Sequence, residues 1–246
     1  WGHANTSLTS DFSNAAVSQK VMDVEISEIV DASLFYIHDS ANNKLEEINN
    51  KLADFDESAP KLEPPIRKGT KCVAKFSVDE CWYRGIVEKT LGGGEYQVRF
   101  ADYGNTEKLS VDDMRKVGKD HLAHPFQAQK CQLAYVNVPR ALDDEDVGAQ
   151  AAFFLRELAW GQPVKAKVIE KDENQTLRVL LTDKSGNQNF NLKMVENGFA
   201  SLERNVAKDL DDYTDWDNAE MIAKQKAIGV WEGGAFSDED DEDDEQ

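Results

Sequence analysis

KCVAKFSVDECWYRGIVEKTLGGGEYQVRFADYGN, residues 71–105, decides the fold of this chain. It contains short β-rich runs: KCVAKFS (71–77), WYRGIVEK (82–89) and EYQVRFA (95–101), with EKLSV (107–111) just beyond. Turn signals separate them at Val78–Glu80, Gly92–Gly94 and Tyr103–Asn105. Roughly four or five short strands joined by tight turns predict a small barrel over residues 66–118.

The aromatic residues of this stretch form a pattern. Phe76 and Tyr83 fall on successive strands. Phe100 and Tyr103 are three apart, a spacing that puts them on opposite faces of a regular strand. The Asp-Tyr-Gly-Asn turn at 102–105 can rotate Tyr103 back, so that four rings surround one point and Asn105 adds an amide at the rim. Such a box attracts cations through the negative ring faces. Methylated arginine is a natural occupant, because methylation keeps the charge and removes hydrogen-bond donors.

On the N-terminal side, residues 1–20 are polar and read as a linker. VMDVEISEI and SLFYIHD, between Val21 and Asp39, read as two strands broken near Val30–Asp31. Ser40 is placed to cap a helix with Leu45, Ile48, Leu52 and Phe55 on one face. Three prolines between Glu57 and Pro65 then interrupt the chain. On the C-terminal side, AQKCQLAYVNV reads as a strand closed by Pro139. The acidic residues Asp143, Asp144 and Asp146 suit the start of a helix that ends near Gly161. PVKAKVIEK and TLRVLLTD follow as strands, with a turn at Ser185–Gly186. NLKMVENG is a short helix stopped by Gly198, and a last helix is predicted over residues 208–228. Residues 21–56 are too short to fold alone. The economical arrangement is one domain split in sequence, its halves at 21–56 and 126–232, with the barrel inserted between them.

Composition narrows the functional classes. The chain has 246 residues, 28 basic and 47 acidic side chains, and a net charge of -19. That field repels phosphate backbones and attracts cationic partners. Asp238 to Glu245 is an unbroken acidic run, and 237–246 reads as a disordered tail. Cys72, Cys81 and Cys131 form no CxxC pair and read as free thiols. The histidines are scattered and complete no metal-ligand spacing. No stretch approaches the ~18 apolar residues of a membrane span. No catalytic residue set, metal site or cofactor is expected. Lys165, Lys167, Lys171 and Arg178 read as a solvated sheet face.

Trp82-Tyr83-Arg84 followed by Phe100-Ala101-Asp102-Tyr103-Gly104-Asn105 resembles the Tudor signature. LAYVNVP (133–139), FNLKMVENGFASL (190–202) and IGVWEGGAF (228–236) are similar to segments of the staphylococcal-nuclease-like OB fold. Trp1-Gly2 resembles the end of a preceding repeat of that kind. The whole resembles the extended Tudor module. This implies an α+β, mostly β fold: a Tudor (SH3-like) barrel inserted into a split nuclease-like OB fold and joined to it by a helix. It implies binding of symmetrically dimethylated arginine in Arg/Gly-rich tails of Piwi/Argonaute-type or Sm proteins, in the cytoplasm and also in the nucleus. By motif position Phe76, Tyr83, Phe100 and Tyr103 are the cage walls and Asn105 is the amide partner. Phe100 stands where many relatives carry Tyr. RNA contact would belong to other parts of a longer protein. Where the nuclease strand carries its metal-binding Asp and general-base Glu, this chain has Asn137 and Arg140, and Cys131 or Gln132 falls near the phosphate-binding Arg.

Overall fold

The computed structural model describes residues 20–143 and 145–234. Residues 1–19 of the expected 1–20 linker, the acidic tail and Asp144 lie outside the described residues.

Strands β1 (Val21–Asp31) and β2 (Leu34–Asp39) form a hairpin. Its turn lies at Ala32–Ser33, slightly beyond the expected break, because the Asp31 carboxylate accepts from the Ser33 amide and hydroxyl at 2.8 and 2.6 Å. Buried Met22, Val24 and Ile26 alternate along β1, but the next buried residue is Ile29. That three-residue step is a β-bulge, and it leaves Ser27 and Glu28 adjacent and half-buried.

Helix α1 (Leu45–Ala53) is one turn shorter at its start than Ser40 capping requires. Asp39 claims the turn instead, accepting from the Ala41 amide and the Asn42 side chain, and the Asn43 side chain accepts from the Leu45 amide. Ile48 and Leu52 pack on Val73 and Trp82, at about 1.5–3 kcal/mol per buried aliphatic side chain. Phe55 lies beyond the helix and stacks against Trp82 and His121, with ring centroids 5.2 and 5.4 Å away.

The inserted unit is an antiparallel sheet of β3 (Lys71–Lys75), β4 (Trp82–Gly92), β5 (Glu95–Phe100), β6 (Thr106–Ser110) and β7 (Met114–Lys116), in the order β6-β5-β4-β3-β7. A 3-10 turn over Val111–Asp113 carries the chain from one edge of the rolled sheet to the other. Cys72, Ala74, Val87, Val98, Phe100, Leu109 and Met114 fill its core.

Strand β8 (Gln129–Leu133) then pairs antiparallel with β2 and parallel with β11 (Leu177–Asp183). The expected single strand through Val138 is broken at Ala134–Tyr135, where Tyr135 takes a φ of 67°. The short β9 (Val136–Asn137) pairs separately with β12 (Ser201–Leu202). Helix α2 (Val147–Ala159) starts at Asp146, whose carboxylate accepts from the Ala149 amide at 2.7 Å. Strands β10 (Val164–Lys171) and β11 (Leu177–Asp183) complete a closed barrel in the order β1-β10-β11-β8-β2. Two of its strands come from before the insertion and three from after it. The five-stranded unit is therefore inserted into a split OB-like barrel, as expected.

Helix α3 (Phe190–Glu196) ends at Gly198, whose φ of 72° only glycine adopts easily. Of the last helix expected over 208–228 only α5 (Tyr213–Gln225) forms, and a separate short helix, α4 (Arg204–Ala207), precedes it. Asp209, Asp211 and Asp212 separate them, since aspartate is poor inside a helix and favours its approach. Among the described residues no helix is long and apolar enough to cross a membrane.

Candidate functional site

The 100–105 turn is built by local and distant contacts together. The amides of Tyr103 and Gly104 donate to the Phe100 carbonyl at 3.1 and 2.8 Å, and the Phe100 amide donates to the Asn105 carbonyl at 2.9 Å. This tight turn swings Tyr103 onto the side of Phe100. Gly104 has a φ of 103°, and a Cβ there would come within 2.4 Å of the Tyr36 ring. Only glycine lets the turn lie against β2.

Asp102 holds the turn from below. Its carboxylate pairs with Arg84 at 2.5 and 2.8 Å and accepts from the Gln127 amide at 2.9 Å. Arg84 is 1% exposed and donates further to the carbonyls of His121, His124 and Pro125. All five guanidinium hydrogens are thus used. The OB-like barrel grips the same turn from the side: Ser27 Oγ donates to the Tyr103 carbonyl at 2.8 Å, and His38 Nε2 donates to the Asp102 carbonyl at 2.6 Å. From α1, the Asn49 amide donates to the Tyr103 hydroxyl at 2.8 Å.

The result is a set of nearly perpendicular rings. Tyr83 and Tyr103 have centroids 5.5 Å apart at 87°, Tyr83 and Phe100 6.0 Å at 82°, and Phe76 and Phe100 5.1 Å at 73°. Phe100 is buried and forms the floor; the other three rings are half-buried walls. With Asn105 they line one cavity of about 370 Å³. The structure thus brings together all five residues singled out from the sequence. Burial and the hydrogen bond to Asp79 push the Tyr83 hydroxyl above its ordinary pKa, so it stays a neutral wall.

Sequence reasoning missed four further lining residues: Ser27, Glu28, Asp79 and Trp160. Ser27 and Glu28 come from the β1 bulge, and the irregular Ile26–Ile29 spacing was the available signal. Trp160 caps the end of α2 and has the Arg156 guanidinium 4.5 Å over its ring. The cavity therefore lies between the two units.

Burial raises the Glu28 pKa above 4.5, only partly opposed by Arg156 and the Ile29 amide; the Tyr36 hydroxyl also faces it. A carboxylate with a raised folded-state pKa destabilises the fold increasingly as pH rises through that pKa. Glu28→Gln should therefore melt above the parent at pH 7, with the gap closing as pH falls through the raised pKa toward 4.5. Thermal melts across that range check this; a gap independent of pH would contradict it.

Asn137 and Arg140 line a separate cavity of about 310 Å³ with Gln132, Arg178 and Glu203. Arg178 is engaged there by Glu203. Cys131 is not part of it but buried in the barrel core.

The Tudor domain family matches residues 16–135, and the staphylococcal nuclease homologue family matches residues 130–233. Tudor domain-containing protein 1 of Mus musculus is 31% identical over 169 residues, 68% of this chain. The chain spans 14% of that relative's length. The extended Tudor domain TD3 of mouse TDRD1, solved with a MILI peptide containing dimethylarginine, superposes with a TM-score of 0.65 at 27% identity. That match covers 75% of this chain and 94% of the solved one. The extended Tudor domain of Drosophila melanogaster Tudor-SN gives 0.70 at 23% identity, covering 86% and 99%; it shares the fold. The two family models together account for residues 16–233, so the chain combines a Tudor domain with a staphylococcal-nuclease-like region in an extended Tudor fold.

Proposed function

We propose that this chain reads dimethylated arginine in Arg/Gly-rich tails, with Phe76, Tyr83, Phe100 and Tyr103 as the cage and Asn105 accepting from the guanidinium. The observation that carries the reading is the perpendicular arrangement of these rings around one cavity. A flat dimethylguanidinium presents apolar methyl edges and a delocalised charge, and both suit ring faces. The acidic body adds long-range attraction, which salt weakens. The complex of the mouse relative with a dimethylarginine peptide supports the same reading.

In this reading the partners are methylated tails of Piwi/Argonaute-type or Sm proteins. The work is scaffolding of ribonucleoprotein complexes in the cytoplasm, extending to the nucleus. The chain corresponds to the C-terminal region of a Tudor-SN protein, with units at 21–56 plus 126–232 and at 66–118. The likeness to the Drosophila fold supports that assignment.

An NMR titration with a symmetrically dimethylated Arg/Gly peptide tests the placement. Shifts should concentrate at 76–83 and 100–105. Shifts concentrated instead at 131–140 and around Arg178 would favour the alternative, a nucleic-acid or residual nuclease cleft. The chain itself is proposed to be non-catalytic, since Asn137 and Arg140 stand where hydrolysis needs carboxylates. Incubation with single-stranded RNA and calcium or magnesium should leave the RNA intact; metal-dependent cleavage would overturn that assignment.

A further inference from the structure

A second cavity, of about 400 Å³, lies on the other side of Tyr83. Its walls include Leu52, Phe55 and Trp82, with Asn49 from α1 and the carboxylates Glu57 and Glu80. Asn49 links the two cavities. Its amide nitrogen donates to the Tyr103 hydroxyl in the cage, while its Oδ1 is buried and accepts from nothing among the described residues. A buried acceptor left unpaired costs about 1–3 kcal/mol, so a donor entering here is favoured.

The two carboxylates differ. Glu57 is held by Lys75 and the Trp82 indole at 3.2 and 3.3 Å, and these donors hold its pKa down. Lys75 and Arg115 also pack over the Trp82 ring, so this side is already partly neutralised. Glu80 is exposed and makes no ion pair among the described residues. Its backbone has a φ of 59° and its amide donates to the Phe76 carbonyl at 2.8 Å, which fixes it at the cavity rim. Aromatic faces, an unpaired acceptor and a free carboxylate describe a site for a planar cation rich in N–H donors.

We propose that this cavity takes an unmethylated arginine neighbouring the dimethylarginine in the same segment; this rests on the reading of the cage given above. Tyr83 lines both cavities, so one extended segment can fill both at once. Their chemistry differs. The cage offers ring faces to a guanidinium stripped of donors, whereas the second cavity needs donors, which methylation removes.

The test uses the full chain and a peptide with one symmetric dimethylarginine flanked by arginines, compared with the same peptide carrying glutamine at the flanks. Calorimetry should show the glutamine-flanked peptide binding about three- to fivefold more weakly, on the scale of an exposed ion pair. Glu80→Gln should weaken the arginine-flanked peptide similarly and leave the glutamine-flanked one unchanged. Cys81 gives a second readout. It is exposed and lines the cavity, whereas Cys72 and Cys131 are buried with their thiol pKa values pushed up. At saturation the arginine-flanked peptide should slow N-ethylmaleimide at Cys81 more than the other. Equal affinities for the two peptides would overturn the second site and leave the cage standing. Independent, additive losses from Glu80→Gln and from the flanks would reduce the effect to long-range charge and also overturn it. Binding of neither peptide would overturn the cage and the second site together.

Discussion

Asp102→Ala is expected to cost about 3–5 kcal/mol of folding stability, because it leaves the Arg84 cation buried without its counter-ion. Arg84 is 1% exposed, and its three other hydrogen bonds go to neutral carbonyls. The damage would not stay local. Asp102 ties β4, through Arg84, to the 100–105 turn and to the Gln127 amide, where the chain leaves the Tudor unit for β8. A urea melt of parent and variant measures the loss; a difference below about 1 kcal/mol would mean that the pair does not bear on stability.

Tyr103→Ala should weaken binding of a dimethylarginine peptide about tenfold, or 1–2 kcal/mol, while the protein stays folded. One wall of the box and its cation–π contribution are lost. The ring is half-buried and its hydroxyl has one partner, Asn49, so the core survives. Tyr103→Phe keeps the wall and should lose much less. If Tyr103→Ala remains folded and binds as tightly as the parent, the ligand sits elsewhere.

The clustering of the four rings could be read from the sequence because most of it is local. Phe76, Tyr83, Phe100 and Tyr103 fall within 28 residues, and strand alternation plus one tight turn suffices to bring them together. Insertion into a split domain could also be read, because the first two strands lacked partners. The other half of the cavity could not. Ser27 reaches Tyr103 across 76 positions, and no periodicity encodes which turn will lie against which bulge. Trp160 enters the cavity only because the closed barrel places the end of α2 beside the Tudor unit. Smaller misreadings have local causes. Ser40 suited a helix cap, but Asp39 captured that turn with a stronger acceptor. The last helix starts at Tyr213 and not at 208, because the aspartates at 209, 211 and 212 favour its approach over its interior.

The central claim is that the cage selects a methylated guanidinium. Calorimetric titration of the chain with one Arg/Gly peptide, in unmethylated, asymmetric and symmetric dimethyl forms, tests it most directly. The symmetric form should bind with a Kd on the order of 10–100 μM, and the unmethylated one much more weakly. Equal affinities for all forms, or no binding of the symmetric form below about 1 mM, would contradict it.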